Sequence, residues 1–397
     1  MSDGEGMGNR PQQRANTGRA WRRSDLRHGY TTSACAAAAA AAATQALLTG
    51  HPLTHVTIDL PAEAGVTFAL SRCELDVPAG GQVTCGVVKD AGDDPDVTHG
   101  AEIVATVRWG EAAGVHLTGG PGVGVVTRPG LPVPVGQPAI NPGAARIIRR
   151  AVEAAAGAAT GQPRDDRGLV VTISVPDGEA LARKTLNPTL GIVGGISILG
   201  TDGIVRPYSQ GAYRASIRTQ MKVARENDLE TIVLTTGVRS EEYARQHIPA
   251  LPALACVQVG DHMDYALRQA RQLKFARIII SGMVGKLSKL AQGRMQTHVS
   301  EGSVDLAFLA QLADALGADA GTVRAVAAAN TAHHVQVILK RVGIAGLEGC
   351  LAELAAAHAA AFIAGSAEIT ILVWSMGGEL LATAGAPAVG PTAQEAA

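Results

Sequence analysis

Apolar and polar positions change rhythm twice along the chain. Between Arg27 and Gly50, RHGYTTSACAAAAAAAATQALLTG is apolar on every helical face, so a buried helix is expected there. Thr31, Thr32 or Ser33 can cap its start, and Gly50 stands just beyond its end. Period-two alternation follows. Val56, Ile58 and Leu60, then Val66, Phe68 and Leu70, each share a face and are joined by PAEAG, which predicts a hairpin. Ile103, Ala105, Val107 and Trp109 alternate likewise, and Asn141-Pro142 opens an amphipathic helix. After a strand over Val171–Val175 and a glycine-rich passage, the rhythm changes again. Near-continuous apolar runs at Thr231–Thr235, Ala255–Val259, Ala276–Ser281 and Ile369–Trp374 alternate with helical segments, the pattern of a parallel sheet covered on both faces. The first half therefore reads as α+β and the second as α/β.

The passage between the halves, RKTLNPTLGIVGGISILGTDGIVRP from Arg183 to Pro207, is dense in glycine. It reads either as a connector or as a loop system facing a ligand at the junction of two domains. Residues 1–24 are polar, contain no apolar signal core and read as a disordered leader, with a disordered tail over 386–397. Ala34 to Ala43 is too short to span a bilayer.

Composition narrows the ligand. Aromatics make up 3% of the chain, which argues against base-stacking platforms for nucleic acid, and a net charge of -1 offers no global attraction to polyanions. The five cysteines include no CxxC pair, which argues against a zinc site or a disulfide framework and fits a reducing cytoplasm.

Candidate chemistry gathers in four places. Free N–H groups at the start of the alanine helix, with Thr31 and Thr32, could take an anion. VVKDAGDDPDVTHG sets Asp90, Asp93, Asp94 and Asp96 close together; a turn that positions Lys89 is favoured over a cation site. Thr236, Gly237, Gly260, Asp261, Ser281 and Gly282 fall at the carboxyl ends of the parallel strands, where such sheets bind ligands. Asp261 there suits ribose hydroxyls or simply caps the next helix. Finally, GMVGKLSKLAQGRMQTH carries Lys286, Lys289, Arg294 and His298, either a solvated face or a carboxylate-binding set.

Six motifs then occur in order: LRHGYTTSACAAAA, VVKDAGDDPDVTHG, VGQPAINP, KTLNPTLGIVGGISILGTDGIVRP, SGMVGKLSKLAQGRMQTH and ANTAHH. Together they resemble the cobalt-precorrin-5B C(1)-methyltransferase family, from Leu26 to about Gly385. TTSAC stands where TTGTC is usual; TTGVRSEEYA and GDHMDYAL also depart from the family pattern, at the expected donor site. The resemblance implies an α+β domain over 25–207 and a Rossmann-like domain over 208–385. It implies S-adenosylmethionine as methyl donor, with no metal held by the protein itself, and a corrin precursor as acceptor. Neighbouring enzymes of cobalamin biosynthesis and a second copy of the chain are the macromolecular partners it allows, without nucleic acid or membrane. An acceptor rich in carboxylates calls for fixed cations, assigned to Lys89, Lys184, Arg206, Lys286, Lys289 and Arg294, with Thr31, Thr32 and Asn187 beside them. Asp90, Asp93 and His298 are the candidates for a proton-accepting group. A non-catalytic tetrapyrrole carrier of the same fold is the alternative.

Overall fold

Eight consecutive alanines, Ala36–Ala43, have no side chain large enough to hold neighbours away, and each is at most 1% exposed. They form the middle of an 18-residue helix, Thr32–Thr49, in a computed structural model that describes residues 26–76, 81–160, 168–297 and 303–389. Thr31 caps the helix by accepting from the Ala34 N–H, and Gly50 ends it in the left-handed region at φ 74°. One side of this alanine helix lies on the Pro142–Thr160 helix and the other on a sheet. By length and composition it could cross a bilayer, but it is buried inside the protein.

The sheet beneath it has five strands in the order Arg72–Asp76, Gln82–Val88, Glu102–Trp109, Leu169–Ser174 and Val115–Gly119. Neighbours are antiparallel except the last pair, which is parallel. Alternation builds its core: Val83, Cys85 and Val87 on one strand and Ile103, Ala105 and Val107 on the next are all buried. The expected hairpin pairs Val56 with Phe68 and Ile58 with Val66.

The second sheet runs Cys256–Gln258, Thr231–Thr235, Arg277–Met283, Glu368–Trp374 and Leu380–Ala386. By order of appearance this is 2-1-3-4-5, with the first four strands parallel and the last antiparallel. Every residue of Thr231–Thr235 is buried, as a strand covered on both faces requires. The closing antiparallel strand was not expected from the sequence, because after its two leucines LLATAGA holds only small residues and shows no clear alternation.

Two large apolar clusters result. One is confined to the first half. The other fills the second half and also takes in Val126, Val133, Ala139, Leu190 and Ile192 from the first. The leader lies outside the described residues, as does the tail beyond 389.

The stretch from Arg183 to Pro207 is stitched down by short ladders. Ile192–Val193 pairs with Val125–Val126, Gly195–Ile196 with Gly122–Val123, and Ile204–Val205 with Gly29–Tyr30. Its glycines serve these approaches. A Cβ on Gly195 would land on the Gly122 carbonyl, and one on Gly200 would come within 2.5 Å of the Thr31 hydroxyl. The same stretch corrects the reading of the alanine helix start as an open anion site. The Thr31 and Ser33 N–H groups donate to the carbonyls of Gly203 and Leu199, and the Thr32 hydroxyl donates to the Leu199 carbonyl at 3.2 Å.

Candidate functional site

A cleft of about 1020 Å³ opens between the two halves. Its floor is Leu199–Asp202 and Ile204–Arg206 of the central stretch. One wall is the Asp94–Asp96 turn and the other the start of the Gln210–Glu226 helix, with Gly260, Asp261 and His262 at the end of a parallel strand. Ser209 caps that helix by accepting from the Ala212 N–H.

Four aspartates reach the lining, Asp94, Asp96, Asp202 and Asp261, and three of them are met by cations that the sequence suggested would grip a substrate. The Lys89 ammonium, 1% exposed, donates to Asp96 at 2.7 Å. Arg206 donates to Asp202 at 2.6 Å. Lys286 lies 3.1 Å from Asp261 and donates to the Thr236 carbonyl at 2.7 Å. Burial pushes the Asp96 carboxyl up, but Lys89 and the Thr98 donors outweigh it, so its pKa lies below the usual range. Asp202 is likewise lowered, Arg206 overcoming the burial.

The aspartate turn is as the sequence suggested, each carboxylate spent separately. Asp90 pairs with Arg27, whose hydrogen bond, helped by the Gly92 N–H, lowers its pKa to about 2. Asp93 accepts from the Arg27 N–H at 2.7 Å, and Asp94 accepts from the Tyr208 N–H at 3.0 Å. Among the described residues no group of three or more His, Cys, Asp or Glu is placed to hold a metal.

A second candidate position is set by topology. In the order 2-1-3 the chain leaves Thr231–Thr235 and Arg277–Met283 in opposite directions, and ligands bind beyond the carboxyl ends at such a switch point. Thr236, Gly237 and Gly282 stand there, and Lys286 ties this switch point to Asp261 of the cleft. Thr236 is buried and Gly237 partly exposed. Ser281, in contrast, lies beneath: its hydroxyl donates to the Ser240 carbonyl at 2.7 Å and accepts from Trp374 Nε1 at 2.8 Å.

The remaining expected residues scatter. Asn187 is internal, its amide donating to the Gly195 carbonyl at 3.0 Å. Lys289 is buried and donates to the Thr297 carbonyl at 2.8 Å. Lys184, on a turn, and Arg294, just past one, are exposed and outside the cleft lining. His298 lies outside the described residues. The sequence reading missed Asp202, Tyr208, Tyr213 and His262 as cleft residues. Asp202 and Tyr208 sit in TDGIVRPYS, where turn residues hand over to a capped helix, and that handover was the available signal.

These features define a mixed α/β protein with a large cleft, edged by aspartates, between an antiparallel-rich half and a parallel-sheet half. Residues 19–207 match the family model described as CbiD, and residues 296–385 match that described as CbiD, C-terminal domain. Cobalt-precorrin-5B C(1)-methyltransferase of Geobacillus kaustophilus (strain HTA426) is 47% identical over 359 residues, covering 90% of this chain and 95% of its own. That of Geobacillus thermodenitrificans (strain NG80-2) is 46% identical over 359 residues, with 90% and 95% covered. A crystal structure of a cobalamin biosynthesis protein (cbiD) from Archaeoglobus fulgidus is 31% identical, covers 70% of this chain and 84% of its own, and gives a TM-score of 0.37. The chain belongs to the CbiD family.

Proposed function

We propose that the chain is an S-adenosylmethionine-dependent C-methyltransferase acting on carbon 1 of a ring-contracted corrin precursor, cobalt-precorrin-5B to cobalt-precorrin-6A, in cytoplasmic cobalamin biosynthesis. The observation that carries this reading is 47% identity across 90% of the chain with a relative of that name. The carrier alternative is not favoured, since the similarity that covers 90% of the chain is to proteins named as methyltransferases.

The switch point fits such a donor. Gly237 and Gly285 leave open space where a Cβ would stand, and Asp261 offers a carboxylate at a strand end for ribose hydroxyls. Thr236, Gly237, Gly260, Asp261 and Gly282 would hold the donor, with Ser281 bracing the loops from below. S-adenosylmethionine, when bound, supplies a methyl group made electrophilic by its sulfonium. The protein's part is positioning, bringing the acceptor carbon in line at near-attack distance. The cleft between the halves is large enough for the acceptor. Arg206 faces it while paired with Asp202, Lys286 stands behind Asp261 of its lining, and the exposed Lys184 and Arg294 would reach only outlying carboxylates. Asp90 is a poor proton acceptor, because its pKa of about 2 leaves it too weak a base. Asp93 and His298 remain the candidates.

The two clusters, the sheet order 2-1-3-4-5 and a family match ending at residue 207 support domains at 25–207 and 208–385, the second doubly wound in the Rossmann manner. The test is incubation of the pure protein with the ring-contracted precursor and methyl-labelled donor. One added methyl by mass, carrying the label, is expected; unmodified precursor with both substrates present sinks the reading.

A further inference from the structure

Aromatic surface is scarce in this chain, with five tyrosines, four phenylalanines and three tryptophans in 397 residues. Two of those tyrosines, Tyr208 and Tyr213, line the cleft. Tyr213 is partly engaged, its hydroxyl donating to the Gln258 carbonyl and its ring 5.5 Å from that of His262. Tyr208 differs. Its side chain is among the exposed large hydrophobics at 59%, and among the described residues its hydroxyl has no hydrogen-bond partner.

Tyr208 also holds a costly backbone. Its φ of 54° lies in the left-handed region, which a bulky residue avoids and which glycine or asparagine would occupy more easily. The conformation is enforced from three directions. Buried Pro207 precedes it, Ser209 follows as the cap of the Gln210–Glu226 helix, and Asp94 reaches over from the first half to accept its N–H at 3.0 Å. A backbone held this firmly sets where the ring leaves the chain, and the ring itself is left uncovered in the cleft.

We propose that Tyr208 is the aromatic platform on which the face of the conjugated macrocycle rests, the contact that positions the acceptor in the cleft. The assignment rests on the proposed function, which supplies a planar acceptor. Offset stacking suits a phenol ring against an extended π-system, and a tyrosine, with two side-chain torsions to order, contributes it at modest cost in entropy.

The decisive variant is Tyr208→Gly, which removes the ring while relieving the backbone. Titration with a cobalt corrinoid bearing free side-chain carboxylates, followed by its visible absorption, is paired with steady-state kinetics. Tyr208→Gly should weaken corrinoid binding and raise its KM about ten-fold, with the donor KM unmoved and the melting temperature equal or higher. Tyr208→Phe should keep wild-type affinity. A folded Tyr208→Gly protein that binds the corrinoid within two-fold of wild type overturns the proposal. Wild-type protein that binds the corrinoid but transfers no methyl would refute the proposed reaction while the titration still decides the platform. Wild-type protein that binds no corrinoid refutes both.

Discussion

At the scale of single residues, the cleft is built by cations that neutralise the protein's own carboxylates. Lys89 shows how costly that arrangement is to disturb. Its ammonium is buried to 1% exposure, with Asp96 as partner at 2.7 Å, and Asp96 is itself 26% exposed. Lys89→Met should destabilise the fold by about 2–3 kcal/mol at pH 7, below the usual 3–5 kcal/mol for a broken buried pair because water reaches the aspartate. The sign with pH follows from the lowered Asp96 pKa. A depressed carboxylate stabilises the fold above its unfolded pKa of about 3.9, and that stability is lost as pH falls through the folded value. The gap between wild type and Lys89→Met should therefore narrow below about pH 4. Urea denaturation at a series of pH values measures it; a gap constant from pH 7 to pH 2 would contradict the ion-pair account. VVKDAGDDPDVTHG showed in advance that a lysine and several aspartates would share a turn. It did not show that Lys89 would point inward, because partner choice among four nearby carboxylates depends on Arg27 and Tyr208, distant in sequence.

At the scale of elements, the alanine helix is limited by what it lies against. Ala39 is fully buried between the Pro142–Thr160 helix and the first sheet. Ala39→Leu has no void to enter and should cost about 3 kcal/mol, whereas Ala154→Leu on the exposed side of the neighbouring helix should be close to neutral. Equal urea midpoints for the two variants would contradict the close-packed geometry. Elements with strong patterns were legible: the alanine helix with its cap among Thr31, Thr32 and Ser33 and its end at Gly50, the hairpin of Val56 and Phe68, and Thr231–Thr235 to the residue. Those resting on weak patterns were not. Arg72–Asp76 and Gln82–Val88 alternate, but over short runs whose inward positions include cysteines, and Leu380–Ala386 is an antiparallel edge whose small residues give no alternation. The central glycines were legible as close approaches, of a ligand or of another segment, without a choice between the two. A glycine records that something comes near, not what it is.

At the scale of the whole molecule, the halves are distinct yet share apolar contacts. Val126, Val133, Leu190 and Ile192 precede residue 208 but belong to the second cluster. The Asn227 amide also donates to the Pro129 carbonyl at 3.2 Å. A fragment of residues 208–397 should therefore expose apolar surface, bind a hydrophobic fluorescent dye strongly and melt below the intact chain. A fragment that melts with the intact protein and ignores the dye would show the shared contacts to be energetically empty. One contact has a further bearing on how the chain is made. The cap of the Thr32–Thr49 helix is closed by the carbonyls of Leu199 and Gly203, 167 residues onward for the Thr32 hydroxyl. During synthesis the first long helix to leave the ribosome must wait, unsealed, until the chain has grown past Gly203. Contacts so far apart slow folding and lengthen exposure to aggregation, so nascent chains shorter than this are where a chaperone would be needed most.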